Sequence, residues 1–578
     1  MGASGHRANR PYAPRRRVTS LPGPLKIGCP HSARCPQWTL GGPDQHGGVI
    51  WYSNRVVHVT LTNSEAFLTQ VDEKTFDFLR DYWSYFHPGA RFSRAYRHYV
   101  SEKQRAKIEK DPDRVVDGWD GKIRLLKNDG TVPAGLFRAT KKELQEQGIK
   151  FKVEYDRPEP PKLRTGVVMN DKNYAYQNKC VQKMITSIPR GGGLILSATG
   201  TGKTAIIGLL ASRLTWNILF VVDQVNLLYQ TQKELASWLK EPVGVVGDQK
   251  YDVRRVTAAT VQTLSKHLKD RKFREWYRTV DLVVVDEIHV QLNRRNFKVL
   301  TAINPIARFG LTATLQMSKK EVRMKAWSYA GPVLYRFPIR EAQKKGVVSQ
   351  GRAVQILFPG DVHEDYQEDY REEVVENEVK LKACSAIVRY LIGEDRRVIV
   401  LVSRIAHVEA VEKALAGIPH RLAYGAVDKS DRLSSIKEFE AGKIKLLIAN
   451  CVFSKGINIK RVDAIVDMAE MKSKNDAVQK YGRGVRKHVD KKELLYIDFG
   501  TKEGRFSKAA KSRARALKAE SIPVTKYMVA GPVQALAKIR LWARSGQSVR
   551  PKGRVKAKNA ATGRLGAEKQ ALTGRSTR

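Results

Sequence analysis

Short apolar runs recur along the middle of the chain, and longer stretches of mixed polarity separate them. Runs rich in Val, Ile and Leu of this length are typical of strands buried on both faces of a parallel sheet. The stretches between them, such as 203–214, carry apolar residues at helical spacing. This alternation predicts an α/β protein with two doubly wound domains, over 168–338 and 339–520. The predicted strands are Leu194–Leu196, Ile218–Val222, Leu282–Val285, Val398–Val402, Ile444–Ala449, Ala464–Asp467 and Leu494–Ile497.

The beginning and the end of the chain have different patterns. Residues 49–160 combine a strand pattern at Val56–Leu61 with apolar residues at helical spacing over Glu73–Phe86, so they predict a small α+β N-terminal domain. Residues 1–48 are rich in Pro, Gly and Arg and predict a disordered basic arm. Residues 521–578 predict a basic, partly disordered tail.

Charge narrows the class of partner. The chain of 578 residues has 104 Lys and Arg against 58 Asp and Glu, a net charge of +46. This excess indicates a polyanion, either nucleic acid or an anionic membrane surface. No apolar run approaches the roughly 18 residues of a membrane span, so no membrane partner is expected. The 5 cysteines are scattered, which favours a reducing, cytoplasmic compartment over a disulfide scaffold.

A phosphate-binding loop is predicted at Ser197–Thr204, between a predicted strand and a predicted helix. Glycines at 200 and 202 let the backbone bend so that successive N–H groups point at phosphate oxygens. Lys203 would reach the β- and γ-phosphates of ATP, and the Thr204 hydroxyl would bind Mg²⁺. The strict pattern has Gly where this chain has Ser197. The residues expected to bind the nucleotide here are Thr199, Gly200, Thr201, Gly202, Lys203 and Thr204.

An acidic pair follows the predicted strand Leu282–Val285. Asp286 and Glu287 would lie at the carboxyl edge of the sheet, where α/β proteins bind ligands. Asp286 is the predicted second Mg²⁺ ligand. Glu287 is the predicted base that takes a proton from the attacking water.

Together these motifs resemble those of the superfamily 2 helicases and translocases, and the remaining motifs follow in the expected order. The resemblance implies two tandem RecA-like lobes and runs from about Tyr174 to His488. The matching segments are Gln177, Val222–Gln230, Thr260–Thr263, Asp286–His289, Thr312–Thr314, Ser454–Asn458 and Gln479–Arg486.

The resemblance assigns roles to these segments. It implies that Gln177 reads adenine, that Gly456 lies near ATP, and that 222–230 and 260–263 grip the strand backbone. It also implies that hydrolysis is coupled to lobe movement through His289, Thr312, Thr314 and Gln479.

Two arginines match the arginine-finger motif of this superfamily. The lobe that carries the phosphate-binding loop does not by itself supply enough positive charge to stabilise the γ-phosphate during hydrolysis. Arg483 and Arg486, from the second lobe, could supply that charge only when the lobes close over ATP. Planar guanidinium groups fit phosphate oxygens better than an ammonium group does. Both arginines are therefore predicted catalytic residues, with Lys203 and Glu287.

A narrower resemblance points to the phage UvsW-type recombination helicases. Trp119–Ile123 and Arg483–His488 are similar to segments of those enzymes, although Asp120-Gly121 alone could be a hairpin turn. This resemblance implies a phage protein that acts in the bacterial cytoplasm on single-stranded and branched DNA: forks, Holliday junctions and R-loops. We expect a monomer whose N-terminal domain binds DNA.

Two alternatives remain open. Within the motor class, the chain could be an RNA helicase or the motor of a restriction system. Outside that class, it could be a nucleic-acid-binding scaffold whose ATPase has decayed. The intact Lys203, Asp286, Glu287, Arg483 and Arg486 favour an active enzyme, and ATPase assays with and without nucleic acid separate the two classes.

Overall fold

The computed structural model describes residues 56–108, 118–159, 163–313, 319–361, 365–425, 427–450, 459, 461–470 and 474–545. The predicted basic arm and the tail after 545 lie outside these residues. So do the predicted site residues Thr314 and Gly456. In the part of the chain that is described, no helix is long and apolar enough to cross a membrane.

The N-terminal domain is built on a 4-stranded sheet in the order β5-β2-β1-β6. β1 runs antiparallel to β2 and parallel to β6, while β3 and β4 form a separate antiparallel pair. The strands are β1 Val56–Leu61, β2 Glu65–Thr69, β3 Ser84–Phe86, β4 Lys122–Arg124, β5 Thr131–Pro133 and β6 Lys150–Tyr155. The helices are α1 Glu73–Tyr82, α2 Arg94–Ile108 and α3 Ala134–Glu146.

The predicted helix over 73–86 is shorter in the structure. α1 ends at Tyr82, and Trp83 caps it. The chain then turns into β3, which pairs with β4. Phe76 and Trp83 are buried in the domain core, as expected, but Phe86 is 42% exposed. The reason is that Phe86 belongs to β3, which pairs with β4 from a distant part of the chain, and helical spacing does not reveal such a long-range pairing.

Lobe 1 has an 8-stranded sheet in the order β10-β9-β11-β8-β12-β13-β7-β14. Alternate side chains of β8 enter two different apolar cores, which shows that helices cover both faces. Its strands are β7 Gly192–Ser197, β8 Ile218–Val222, β9 Gly244–Gly247, β10 Lys250–Asp252, β11 Val256–Thr260, β12 Leu282–Val285, β13 Ala307–Thr312 and β14 Val333–Phe337. Its helices are α4 Ala175–Ser187, α5 Lys203–Ala211, α6 Val225–Leu239, α7 Val261–Lys266, α8 Arg271–Arg278, α9 Ile288–Gln291, α10 Arg294–Ala302 and α11 Lys320–Ala330.

Lobe 2 follows a connecting helix, α12 (Ile339–Lys344), and has a 7-stranded parallel sheet in the order β17-β18-β16-β19-β20-β15-β21. Its strands are β15 Gly351–Phe358, β16 Val398–Val402, β17 His420–Ala423, β18 Leu446–Asn450, β19 Ala464–Asp467, β20 Leu494–Thr501 and β21 Val524–Met528. Its helices are α13 Tyr366–Tyr370, α14 Glu378–Gly393, α15 Ile405–Ala414, α16 Lys429–Ala441, α17 Lys474–Gly484, α18 Gly504–Ala519 and α19 Pro532–Ser545. Two tandem RecA-like sheets are thus present, as the sequence predicts.

The second sheet continues past residue 520, where the sequence pattern places the end of the lobe. β21 pairs with β15 at the edge of the sheet. Ile539 and Trp542 of α19 are buried in the same apolar core as α14. Residues 521–545 therefore complete lobe 2. Their composition is basic because the outward face of α19 carries Lys and Arg.

The N-terminal domain packs tightly on lobe 1. Met324 of α11 is buried in the N-terminal core, and Trp327 packs against it. Arg138 of α3 donates to the carbonyl oxygens of Gly192 (3.0 Å) and Ala330 (3.2 Å). In the other direction, Arg308 of β13 donates to the carbonyl oxygen of Asn63 (2.9 Å). The shared core and these partly buried hydrogen bonds make this domain a rigid extension of lobe 1.

Candidate nucleotide site between the lobes

The turn between β7 and α5 has the geometry of a phosphate-binding loop. Gly200 and Gly202 have φ of 83° and 75°, a left-handed conformation that L side chains rarely adopt. A Cβ on Gly202 would lie 2.7 Å from Nε2 of Gln177. The loop therefore needs glycine for both conformation and space, and it delivers the chain into the amino end of α5, where an anion is stabilised.

Serine replaces the first glycine of the strict pattern without distorting the loop. The buried Ser197 hydroxyl lies 2.7 Å from Oγ1 of Thr201, and Thr201 Oγ1 donates to the carbonyl oxygen of Ala198 (2.6 Å). These bonds tie the first and fifth residues of the motif together. Ser197, which departs from the strict pattern, therefore stabilises the turn.

Gln177 lies directly beside this loop. Its side chain is buried, and Nε2 donates to the carbonyl oxygen of Thr201 (3.3 Å). Its Oε1 is buried without a hydrogen-bond partner among the described residues. A buried carbonyl with no donor is costly, and an adenine amino group would supply the missing donor. This geometry fits the role that the sequence resemblance implies for Gln177.

The acidic pair lies at the carboxyl end of β12, as predicted. Glu287 has φ of 45°, a left-handed conformation that is strained for glutamate and that aims its side chain toward the loop. Glu287 Oε1 lies 3.0 Å from Nζ of Lys203. Burial favours the protonated form of Glu287, but the charges of Lys203 and His289 outweigh it and lower the pKa. Glu287 is therefore ionised and available as a proton acceptor.

Asp286 is in a different electrostatic state from its neighbour. Burial raises the pKa of Asp286 to about 6, although the Lys203 charge opposes the shift. Among the residues that the structure describes, its Oδ1 accepts one hydrogen bond, from the backbone N–H of Glu287 (2.9 Å). A carboxylate that burial destabilises in this way fits a bound cation, which would supply the missing positive charge. Asp286 and Thr204 are the side chains that could hold Mg²⁺, which would take its other ligands from phosphates and water.

A chain of polar contacts connects this acid to lobe 2. Thr312 Oγ1 donates to Glu287 Oε2 (3.2 Å) and lies 2.8 Å from Nδ1 of His289. On the other side of the ring, Nε2 of His289 lies 3.3 Å from Nε2 of Gln479 in α17. Three of the four residues predicted to couple hydrolysis to movement, His289, Thr312 and Gln479, thus meet across the lobe interface.

The two predicted arginine fingers reach the loop from lobe 2. A Cβ on Gly482 would lie 2.9 Å from Cβ of Thr199, and a Cβ on Gly200 would lie 3.4 Å from Cγ of Arg486. Burial lowers the pKa of Arg483, against the charges of Glu287 and Asp286. Burial, with the charge of Arg483, lowers the pKa of Arg486 to about 10. The lobes therefore meet at the loop, and two desolvated cations lie beside it.

One residue inside the segment Gln479–Arg486 supports this site in a way that the sequence pattern does not predict. Lys480 of α17 is buried, and its Nζ contacts Asp467 (2.9 Å) at the end of β19 and Asp476 (2.8 Å) one turn earlier. Tyr496 of β20 donates to the same Asp467 carboxylate (2.6 Å). These contacts fix the helix that carries Arg483. Only the fold brings them together, because the residues are far apart in sequence.

Comparison with known proteins agrees with this architecture. Residues 170–317 match the family described as type III restriction enzyme, res subunit, and residues 380–488 match the helicase conserved C-terminal domain. The ATP-dependent DNA helicase uvsW of Enterobacteria phage T4 is 23% identical over 484 residues, 77% of this chain and 90% of that protein. The XPB helicase/translocase subunit of Dictyostelium discoideum is 22% identical over 54% of this chain and 41% of its own length. The crystal structure of T4 UvsW covers 82% of this chain and 99% of its own, with a TM-score of 0.39 and 20% identity.

Two helicase domains in this order, with a nucleotide site between their RecA-like sheets, define the class. The protein is an ATP-dependent helicase, and its two domains resemble those of the superfamily 2 enzymes.

Proposed function

We propose that the protein is a DNA translocase that unwinds or remodels branched DNA in recombination, replication or repair. The proposal combines three features of the chain: a nucleotide site that closes between two lobes, a grip for one strand, and a second basic surface fixed to lobe 1. The relative from phage T4, named a DNA helicase, matches 77% of this chain. We also propose that the protein, like that relative, is encoded by a phage, and that it acts in the cytoplasm of the bacterial host.

The proposed chemistry gives each group of the site one role. Lys203 and the loop N–H groups bind the phosphates, and Glu287 takes the proton of the attacking water. Thr204 and Asp286 would hold Mg²⁺, which would supply further positive charge to the phosphates. Arg483 and Arg486 stabilise the charge that develops in the transition state. After hydrolysis these arginines lose their anionic partner, so the lobes can separate.

The predicted strand grips lie at one edge of lobe 1. Thr260 is paired with Val222 at the carboxyl ends of β11 and β8, so the segments that follow are neighbours. Gln262 donates to the carbonyl oxygen of Asp223 (2.8 Å) and joins the two segments. A second grip on lobe 2 would move toward and away from this one as the lobes close and open, which produces stepping along a strand.

The observation that carries the branched-DNA proposal is a surface of the N-terminal domain. Residues 87–100 contain no Asp or Glu. Arg91, Arg94 and Arg97 are exposed there, and Phe92 is 85% exposed. Exposed aromatic rings among arginines bind nucleic acid by stacking and by phosphate contacts. Because this domain is rigidly attached to lobe 1, it can hold one arm of a junction while the motor pulls another.

The competing view is that the domain only braces lobe 1. Deleting the domain would not separate the two views, because Met324 and Trp327 would lose the core that covers them. We therefore propose the substitution of Arg91, Arg94 and Arg97 by Ala, which leaves that core intact. The matched control is the substitution of Lys142, Lys150 and Lys179 by Ala, which removes the same charge from other exposed positions.

We expect the arginine variant to keep its ATPase activity on single-stranded DNA and to lose its preference for forked and four-way DNA. The reason is that the motor residues are untouched, whereas the contact to the second arm is removed. Competition between labelled forked DNA and unlabelled single strands measures the preference. A preference for forks that survives in the arginine variant at the level of the control would leave the domain as a brace alone.

A further inference from the structure

A basic cleft lies between the N-terminal domain and lobe 1, away from the nucleotide site. Its volume is about 470 Å³, within the range of small-ligand sites. Lys141 of α3, Lys183 of α4 and Arg190, just after α4, line it. Both domains thus contribute to the cleft.

The positive charge of the cleft is not balanced. No carboxylate is among the residues that line it. Arg138 also lines the cleft, and burial, followed by the charges of Arg157 and Arg308, lowers its pKa to about 9. Arg138 is held by backbone carbonyl oxygens, so Lys141, Lys183 and Arg190 are the cations left to face a ligand. The cleft therefore suits an anion that can contact several cations at once.

The cleft also has an apolar wall with an exposed ring. Tyr155, at the end of β6, is 57% exposed, and Val333 and Leu334 of β14 are half-buried beside the cleft. A nucleotide unit combines a phosphate with a flat, mostly apolar base. Base stacking on an exposed aromatic ring beside cationic side chains is the usual way in which proteins hold single-stranded nucleic acid.

The position of the cleft separates it from the motor. Gly192, at the amino end of β7, lines the cleft, whereas the phosphate loop follows the carboxyl end of the same strand. Six residues of extended strand place the two sites about 20 Å apart. The grips after β8 and β11 also lie at the carboxyl edge. A strand in the cleft would therefore be a different one from the strand that the motor pulls.

We propose that this cleft binds a nucleotide unit of a nucleic-acid strand outside the motor path. Its phosphate contacts Lys141, Lys183 and Arg190, and its base stacks on Tyr155. The proposal rests on the proposed function for the identity of the strand. A free mononucleotide has the same chemistry, so the experiment separates these two sources.

The first arm of the test measures binding of forked DNA as a function of salt concentration. The cleft variant replaces Lys141, Lys183 and Arg190 by Ala, and the control again replaces Lys142, Lys150 and Lys179 on neighbouring parts of α3, β6 and α4. We expect the slope of log Kd against log salt to be shallower in the cleft variant by about 0.7 to 0.9, the value for one lost phosphate contact. ATPase activity on long single strands should be unchanged, which also shows that the variant folds.

The second arm locates the strand directly. Iodouracil is placed in the arm of the fork that the motor does not pull, and crosslinked peptides are mapped in the wild-type protein. We expect crosslinks to Tyr155, which disappear when Tyr155→Ala is used or when the cleft cations are removed. Excess mononucleotide should not displace the fork.

The outcomes are distinct. An equal change of slope in the control, or crosslinks that never reach Tyr155, would overturn the proposal. Loss of the crosslink on addition of mononucleotide would make the cleft a small-molecule site and overturn the assignment to a strand. A wild-type ATPase that no DNA stimulates contradicts the proposed function instead, and the crosslinking result still decides whether a strand occupies the cleft.

Discussion

Glu287→Gln is expected to reduce ATP turnover by about 100- to 10,000-fold while ATP still binds. The substitution removes the proton acceptor but keeps the size of the side chain. It also removes the ion pair between Glu287 and Lys203 (3.0 Å), which leaves the ammonium group free for the phosphates. Lys203→Ala should abolish turnover for a different reason, because it removes a charge that binds ATP.

Steady-state hydrolysis and equilibrium binding of a fluorescent ATP analogue separate these two effects. The control is Glu275→Gln, which changes a carboxylate on α8 of the same lobe that pairs with exposed Arg271. Normal turnover in Glu287→Gln would remove Glu287 from the role of base. Wild-type affinity for ATP in Lys203→Ala would remove Lys203 from the phosphate site.

Arg483→Ala and Arg486→Ala should each reduce turnover by about 1,000-fold or more, with little change in ATP affinity. Both guanidinium groups are desolvated beside the loop, so they act mainly on charge that develops in the transition state. Arg483→Lys should restore little, because an ammonium group cannot make two parallel hydrogen bonds to phosphate oxygens. Single-turnover hydrolysis measures the chemical step separately from binding.

Gly482→Ala tests the closure of the lobes without removing a charge. The added Cβ would lie 2.9 Å from Cβ of Thr199, so the lobes could not approach as they do here. We expect a loss of turnover comparable to that of the arginine variants. The control is Gly393→Ala in α14, where an added Cβ meets nothing within 4 Å.

For Arg483→Ala and Arg486→Ala, one outcome would contradict the assigned role. If these variants lose ATP affinity and keep the rate of the chemical step, the two arginines stabilise bound ATP in the ground state and not the transition state.

Features that depend on local sequence were predictable. The strands Ile218–Val222 and Leu282–Val285 have the predicted bounds, because an apolar run buried on both faces leaves no freedom of register. The predicted strand Ile444–Ala449 starts two residues too early and ends one residue too early, since β18 spans Leu446–Asn450. The phosphate loop was predictable because its glycines are required by a local backbone conformation.

Features that depend on contacts between distant residues were not predictable. The contact of Lys480 with Asp467 forms only when α17, β19 and β20 of lobe 2 have packed together. The outward face of α19 carries Lys and Arg, so the basic composition of this segment did not reveal that Trp542 of α19 is buried. The packing of the N-terminal domain on Met324 has no sequence signature, because a buried methionine in α11 fits a single-lobe core equally well. The predicted roles of Thr314 and Gly456 stay predictions.

The most direct test of the central claim is a comparison of ATP hydrolysis stimulated in parallel by single-stranded DNA, forked DNA, a four-way junction and RNA, at one salt concentration. A DNA motor whose second basic surface holds another arm should hydrolyse ATP fastest with forked and four-way DNA, more slowly with single strands, and slowest with RNA. Stimulation by RNA equal to or greater than that by forked DNA, or no stimulation by any nucleic acid, would contradict the account.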